Sequence, residues 1–559
     1  NMRLVHIYIG EHKGVRDLNV SLGGETVFHV DGQTLSVEHR VDTSRYYNGY
    51  HCSAIIGANG VGKSTILDFL ESVYFPIDSS GVLIFLDENS RIHVCQVNYH
   101  ILHCSVQFER YDDYEVFAKL FKTVLVKINN VSAAQSRLGY ERKHNHSLIQ
   151  ERSLEHYTTG ASRKKMYFDN LLDYLRWNQS SRNVVQDVGF EFRFQNSFKR
   201  MASLVRPDVY YPGRRVELEN AYNTIQKSRK LLSPSSQKDI FELLVAALST
   251  SIIVELAASS GAARPEVLAV LQLHFISALA VGDLNFRRSI SQSLEALRYD
   301  ENWDVFVKDK QGNSFKSVNS IDVDINRMQA LYSEYLEALR DISEILASGR
   351  RISIDESGSL IVLVDQFSFA SKVVYLSTRL PRNILSNINW GWRGISTGEM
   401  AYTHLFSETY NCAKKSRKAN YIIVIDEADL YLHPEWQRGF LDSYLGLLDR
   451  LDWKGALPQI IITTHSPIIV SDFLPKDIVS LVKDAGGKVE IKESLGFGTN
   501  ITNLFIDGMH LTATVGEHSR KAIVSLVEKS ESQTLSSLDK ALIKGMGNKF
   551  VREYLLQND

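Results

Sequence analysis

Apolar and polar residues alternate with a period of two along residues 3–22, RLVHIYIGEHKGVRDLNVSL, and again in TVFHV at 26–30. That period predicts strands with one buried face. The runs GVLIFLDENSRIHVCQVN and HCSVQFERYDDY predict further antiparallel strands, joined by polar turns such as Asp87-Glu88-Asn89. Three stretches read differently. YHCSAIIGANGVGKSTILDF gives an apolar strand, a glycine-rich loop and a helix, while NYIIVIDE and QIIITTHSP are near-continuous apolar runs ending in polar residues. Such runs suit strands of a parallel sheet covered on both faces. From about 216 to 350 the pattern is mostly helical. One helix is expected to open at Pro265 and close near Gly282, with proline early and glycine just past the end. Met328, Tyr332, Tyr335, Leu339, Ile342 and Leu346 alternate four- and three-residue steps, which fits either a core-facing helix or a short coiled-coil seam. Strand signals return in RISIDESGSLIVLVDQ. The fold class is α/β with a helical insertion.

The 559 residues, 44% of them hydrophobic, can build a large core in two or three domains. A formal net charge of −2 means the chain as a whole is not a polycation. Residues 141–230 are nonetheless basic, with 17 Lys/Arg against 10 Asp/Glu. Four cysteines at irregular spacing fit neither a disulfide framework nor a zinc site. Residues 3–14 lack the basic flank and apolar stretch of a signal peptide. No uninterrupted apolar run of membrane-spanning length is evident; the nearest, VLAVLQLHFISALAVG, holds Gln272 and His274 and reads as a buried helix. The expectation is a reduced, cytoplasmic protein without a membrane anchor.

Gly57-Ala58-Asn59-Gly60-Val61-Gly62-Lys63-Ser64 satisfies G-x-x-x-x-G-K-[ST] between a strand and a helix. Glycines let backbone N–H groups turn in around phosphates, and the helix start adds a favourable dipole. Gly57, Asn59, Gly60, Gly62, Lys63, Ser64 and Thr65 are the expected ATP contacts. Lys63 would reach the β- and γ-phosphates and the Ser64 hydroxyl would ligate Mg²⁺. Asp426 and Glu427 end the run YIIVIDE. At the carboxyl end of a parallel strand, Asp426 would hold Mg²⁺ and Glu427 would orient and deprotonate the attacking water. His465 ends the next such strand and would hydrogen-bond the γ-phosphate.

ISTGE, residues 395–399, has two readings. Ser396 and Glu399 at i and i+3 make a capping box. The P-loop, ISTGE, IVIDE and TTHSP also occur in the order that resembles the ABC-type ATPases. In that family ISTGE matches the signature motif, so the resemblance implies that Ser396, Gly398 and Glu399 contact ATP held on the opposite subunit's P-loop. A helix start can be both cap and anion site. The resemblance implies an ABC-type head, a mixed sheet with an antiparallel subdomain, interrupted by a mostly helical insertion. Its expected bounds are 1–215 and 352–495 for the two halves of the head, 216–351 for the insertion, and 496–559 for a helix-rich tail that binds a partner. It also implies a homodimer sandwiching two nucleotides, or a higher oligomer.

The long separation between P-loop and signature resembles the RecF/Rad50/OLD-like group. His433 stands where transporter-type relatives carry an Asp, and LHPEWQ resembles the OLD-like and RecF-like ATPases. OLD nucleases add a Toprim domain with a D-x-D pair, and no D-x-D follows His465. The tail GFGTNITNLFIDGMHLTATVGEHSRKAI resembles that of the PtuA ATPases of Septu and retron-associated anti-phage defence. That resemblance implies a small HNH nuclease partner; the expected nucleic-acid partner, DNA or RNA–DNA, is suggested by the basic residues of 141–230. The letters HNH at 144–146 do not themselves make such a site. Arg142, Lys143, Arg163, Lys164, Lys165, Lys199 and Arg200, among Tyr157, Tyr167 and Phe168, form either a nucleic-acid patch or a solvated loop. Arg214 and Arg215 could face the nucleotide, and Gln96 and Gln107 are the candidates for a γ-phosphate-side glutamine. The alternatives are a RecF/Rad50-like repair clamp and a self-contained OLD-like nuclease.

Overall fold

The computed structural model describes residues 2–130, 146–158, 161–178, 189–196, 209–210, 216, 219–224, 239–261, 264–282, 284–299, 306–308, 315–317, 323–347, 351–509 and 515–557. The chain forms two compact units, one of Asn1–His156 with His404–Asp559, the other of Tyr157–Thr403.

The first unit is built on a seven-stranded mixed sheet. Its strand order is Ile149–Glu151, Thr123–Asn129, Asn420–Asp426, Gln459–Thr463, His51–Gly57, Ile478–Lys483 and Val489–Lys492. All neighbours run parallel except the last pair. Residues 421–425 and 459–463 are buried throughout, the reason they read as unbroken apolar runs. A second, five-stranded sheet contains Met2–His12, Val15–Ser21, Ser80–Asp87, Ile92–Val97 and Glu109–Tyr111. It is antiparallel except for its last pair.

The helix Lys63–Ser72 lies between the two sheets. Ile66, Phe69 and Leu70 share one core with Leu4, Ile7 and Phe85 of the antiparallel sheet and Ile55, Val424 and Ile461 of the mixed one. Gln459 stitches the sheets directly. Its side-chain amide donates to Leu4 O at 2.6 Å and its carbonyl accepts Leu4 N–H at 3.0 Å. The chain's first strand therefore fixes the height of the parallel strands.

The second unit packs a four-stranded antiparallel sheet, ordered Arg351–Ile354, Leu360–Val364, Gly189–Phe194 and Ile388–Arg393, against long helices. Phe190, Phe192, Phe194, Val362 and Val364 face the helices Ile240–Ala258, Arg264–Val281, Phe286–Ala296 and Ile325–Leu346 in one core. The proline-to-glycine helix runs Arg264–Val281, with Gly282 next. All six residues of the 328–346 seam are buried, so the core-facing reading holds.

One expectation needs correction. Ile240–Ala258 is also long and apolar enough to cross a membrane, as is Arg264–Val281, with 67% and 50% of their apolar windows buried inside the protein. The first is mostly buried and the second half-buried in the core of their own unit, which reduces the need for a polar face.

The fold class is the expected one: mixed α/β with a P-loop, several sheets and helical regions.

Candidate functional site

The P-loop strand His51–Gly57 sits between Gln459–Thr463 and Ile478–Lys483. Chain reversal into the loop uses backbone that side chains resist: Gly57, Gly60 and Gly62 have φ of +150°, +76° and +120°. At Gly57 space is also closed. A Cβ there would stand 2.7 Å from Leu481 O and 2.7 Å from Val61 Cγ2. Leu481 is paired with Gly57 in the sheet, so that oxygen cannot retreat. Gly57→Ala is accordingly expected to weaken nucleotide binding at least tenfold, about 1.4 kcal/mol, measured by titration with a fluorescent ATP analogue.

The helix Lys63–Ser72 opens on Gly62, which supplies no side-chain cap. Its first-turn N–H groups are the ones an anion can take. Lys63 is only 8% exposed, and its ammonium donates to Gly57 O at 2.7 Å and Ala58 O at 3.3 Å. Burial holds that ammonium below the usual lysine range, opposed by the carboxylates of Asp426, Glu427 and Asp429. Lysine and carboxylates thus share one electrostatic neighbourhood.

The carboxylate strand ends at Asp426 and the histidine strand at Thr463, side by side in register (Ile425 with Ile462). Thr463 ties the two strand ends. Its hydroxyl donates to Asp426 Oδ1 and accepts Glu427 N–H at 2.8 Å. Glu427 has φ of +52°, the left-handed region that a residue with a Cβ occupies only when its surroundings force it. His465 follows in the next loop. Burial and the Lys63 charge hold its imidazole below the ordinary value, against the pull of Asp429 and Asp426. Lys63, Asp426, Glu427 and His465, four residues expected from the sequence, therefore meet at the carboxyl edge of three adjacent parallel strands, with Ser64 exposed at the helix start beside them.

Sequence reasoning missed Thr463, Asp429 and Gln437. Each completes this edge through hydrogen bonds to partners 29 to 37 residues away. The available signal was the polar run Thr463–Ser466 closing an otherwise apolar strand.

Within the second unit, Ser396, Gly398 and Glu399 open the helix Thr397–Lys414. The capping box is present in full: Ser396 N–H donates to Glu399 Oε2 at 2.7 Å and Glu399 N–H to Ser396 Oγ at 3.2 Å. Ser396 and Thr397 are exposed. Ser396→Ala is expected to lower unfolding free energy by about 1 kcal/mol, read from urea denaturation.

Other expected residues fall elsewhere. Gln96 lies in the antiparallel sheet, its carbonyl accepting Ile101 N–H at 2.6 Å, and Gln107 is exposed. His433 caps the helix Pro434–Arg438, accepting Glu435 N–H at 3.3 Å. Tyr157 and Tyr167 are buried, with ring centroids 5.3 Å apart, and offer no open stacking face. Arg142, Lys143, His144, Asn145, Lys199, Arg200, Arg214 and Arg215 lie outside the described residues, as do the side chains of Lys164, Lys165 and Phe168.

A family model described as AAA ATPase domain matches residues 36–470, a span running from before the P-loop to beyond His465. Among solved structures, the chain is similar to the Smc head domain of Pyrococcus furiosus, solved with an extended coiled coil and bound to the C-terminal domain of ScpA. That match has 11% identity and a TM-score of 0.26, covering 88% of this chain and 96% of that one. No curated protein matches.

Proposed function

This chain belongs to the AAA ATPase domain family, and from that premise we propose that it binds ATP with Mg²⁺ at Gly57–Thr65, hydrolyses it, and controls a separate HNH-type nuclease in bacterial anti-phage defence. The observation carrying the ATPase part is the meeting of Lys63, Asp426, Glu427 and His465 on one sheet edge. A hydroxyl and a carboxylate, Ser64 and Asp426, are the hard oxygen donors that Mg²⁺ takes alongside phosphate, so the residues present fit that ion. When bound, it would neutralise charge on the β- and γ-oxygens.

The protein's own residues supply the rest. Backbone N–H groups of the loop and of the Gly62–Lys63 turn hold the phosphates. Lys63 exchanges its two carbonyl contacts for phosphate oxygens. Glu427 accepts a proton from water aligned for attack, and the His465 imidazole hydrogen-bonds the γ-phosphate. Ser396 and Gly398, on an exposed helix start, complete the site of a second copy, so ATP joins two heads and hydrolysis frees them. Control of a nuclease rests on the tail's likeness to the Septu and retron-associated ATPases, and sensing of DNA or an RNA–DNA hybrid on the basic composition of residues 141–230.

Native mass spectrometry of the protein purified from its host tests the assembly. A co-purifying small nuclease, with or without nucleic acid, is the expected result. A dimer carrying nucleotide alone would instead support a RecF/Rad50-like clamp.

A further inference from the structure

We propose that Asp429 is a positioning residue for ATP hydrolysis, fixing the backbone of His465 to the loop that carries Glu427. The proposal rests on the reading of His465 and Glu427 given above. Asp429 Oδ1 accepts two hydrogen bonds, from the Thr464 hydroxyl at 2.5 Å and from His465 N–H at 3.0 Å. Neighbouring ties extend the pattern. Thr463 binds Asp426 and Glu427 N–H, and Ala428 N–H donates to Thr463 O at 3.0 Å. Ser466 Oγ donates to Gln437 Oε1 at 2.6 Å, and Gln437 Nε2 in turn donates to Leu432 O at 2.8 Å. Each of the four consecutive residues 463–466 is therefore bonded to the segment 426–437.

Thr463, Thr464 and Ser466 are buried, so these bonds are shielded from competing water and hold their geometry. The loop has need of them. Glu427 and Tyr431 both have positive φ, +52° and +66°, conformations that persist only where neighbours over-determine them. A carboxylate is an acceptor without donors of its own, so Asp429 can gather two donors onto one oxygen, and one of those donors is the backbone of the histidine itself. Misplacement of a reacting group by about 1 Å can cost about 10²-fold in rate. Loss of Asp429 would release His465 from that loop, while the Thr463 ties keep Glu427 in place.

The test compares Asp429→Ala, Asp429→Asn, His465→Ala and the Asp429→Ala/His465→Ala double variant in the full chain, by steady-state ATPase kinetics. Asp429→Ala is expected to lower kcat by about 10²-fold while KM for ATP stays near wild type. Asp429→Asn keeps the accepting oxygen and should restore most of kcat. The double variant should be no slower than His465→Ala, because the two residues act as one unit.

Wild-type kcat in Asp429→Ala beside an impaired His465→Ala would overturn the positioning role and leave the histidine reading standing. Additive losses in the double variant would overturn it as well. Wild-type turnover in His465→Ala would sink the underlying reading and this proposal together. Should Asp429→Ala fail to fold, Thr464→Val carries the test: it removes one of the two bonds and is expected to lower kcat by about tenfold at unchanged KM. An unchanged kcat there would overturn the proposal.

Discussion

Replacing Lys63 with alanine is expected to abolish ATP binding at concentrations that saturate the wild type, and turnover with it. The ammonium already lies in the loop, donating to the Gly57 and Ala58 carbonyl oxygens, and it needs only to exchange those acceptors for phosphate oxygens. Each charge-assisted bond to an ionised partner contributes about 1.5–3 kcal/mol. Two such bonds lost correspond to at least about 10²-fold in affinity. Stability should move the other way or not at all. Lys63 is buried, and burial disfavours its charged form, so the nucleotide-free protein loses a desolvated charge when alanine replaces it. Calorimetric ATP titration together with a thermal melt separates the outcomes. Lost binding with an unchanged Tm supports the site, and unchanged affinity would show that the phosphates bind elsewhere.

The P-loop and the two acidic strand residues were legible because their physics is local. Gly57, Gly60 and Gly62 mark backbone that only glycine adopts freely. Residues 421–425 and 459–463 advertise burial on both faces by being apolar without a break. The Ser396–Glu399 cap was legible for the same reason, since both partners lie within one helical turn.

What the sequence did not reveal is carried by distant pairings. Thr463 meets Asp426 across 37 residues and Thr464 meets Asp429 across 35, and no periodicity signals such contacts. The second unit's sheet pairs Gly189–Phe194 with Leu360–Val364, strands that are far apart in the chain, and a helical core is folded between them. Ile240–Ala258 went unnoticed as a long apolar helix because Glu242 and Glu255 interrupt the run near its ends, while most positions between them are buried in that core.

Glu427→Gln is the sharpest test of the chemistry, because almost nothing else changes. Glutamine has the same shape and the same Cβ at φ of +52°, so it inherits whatever strain the position holds. Its backbone N–H still donates to the Thr463 hydroxyl, and the link from Thr463 to Asp426 is untouched. What disappears is the proton acceptor and, with it, one of the three carboxylate charges near Lys63. A positioned general base contributes about 10²–10⁴-fold, and kcat is expected to fall by that factor, about 3–5 kcal/mol in barrier height. ATP affinity should stay near wild type, since Lys63, the loop N–H groups and Ser64 remain. Affinity without turnover predicts a third result. If ATP joins two heads and hydrolysis separates them, the variant accumulates as a nucleotide-bound dimer, visible by size-exclusion chromatography with light scattering when ATP and Mg²⁺ are present. Wild-type turnover would remove Glu427 from the chemistry. A monomer that binds ATP but does not hydrolyse it would keep Glu427 as base and break the sandwich, leaving Ser396 as a helix cap and nothing more.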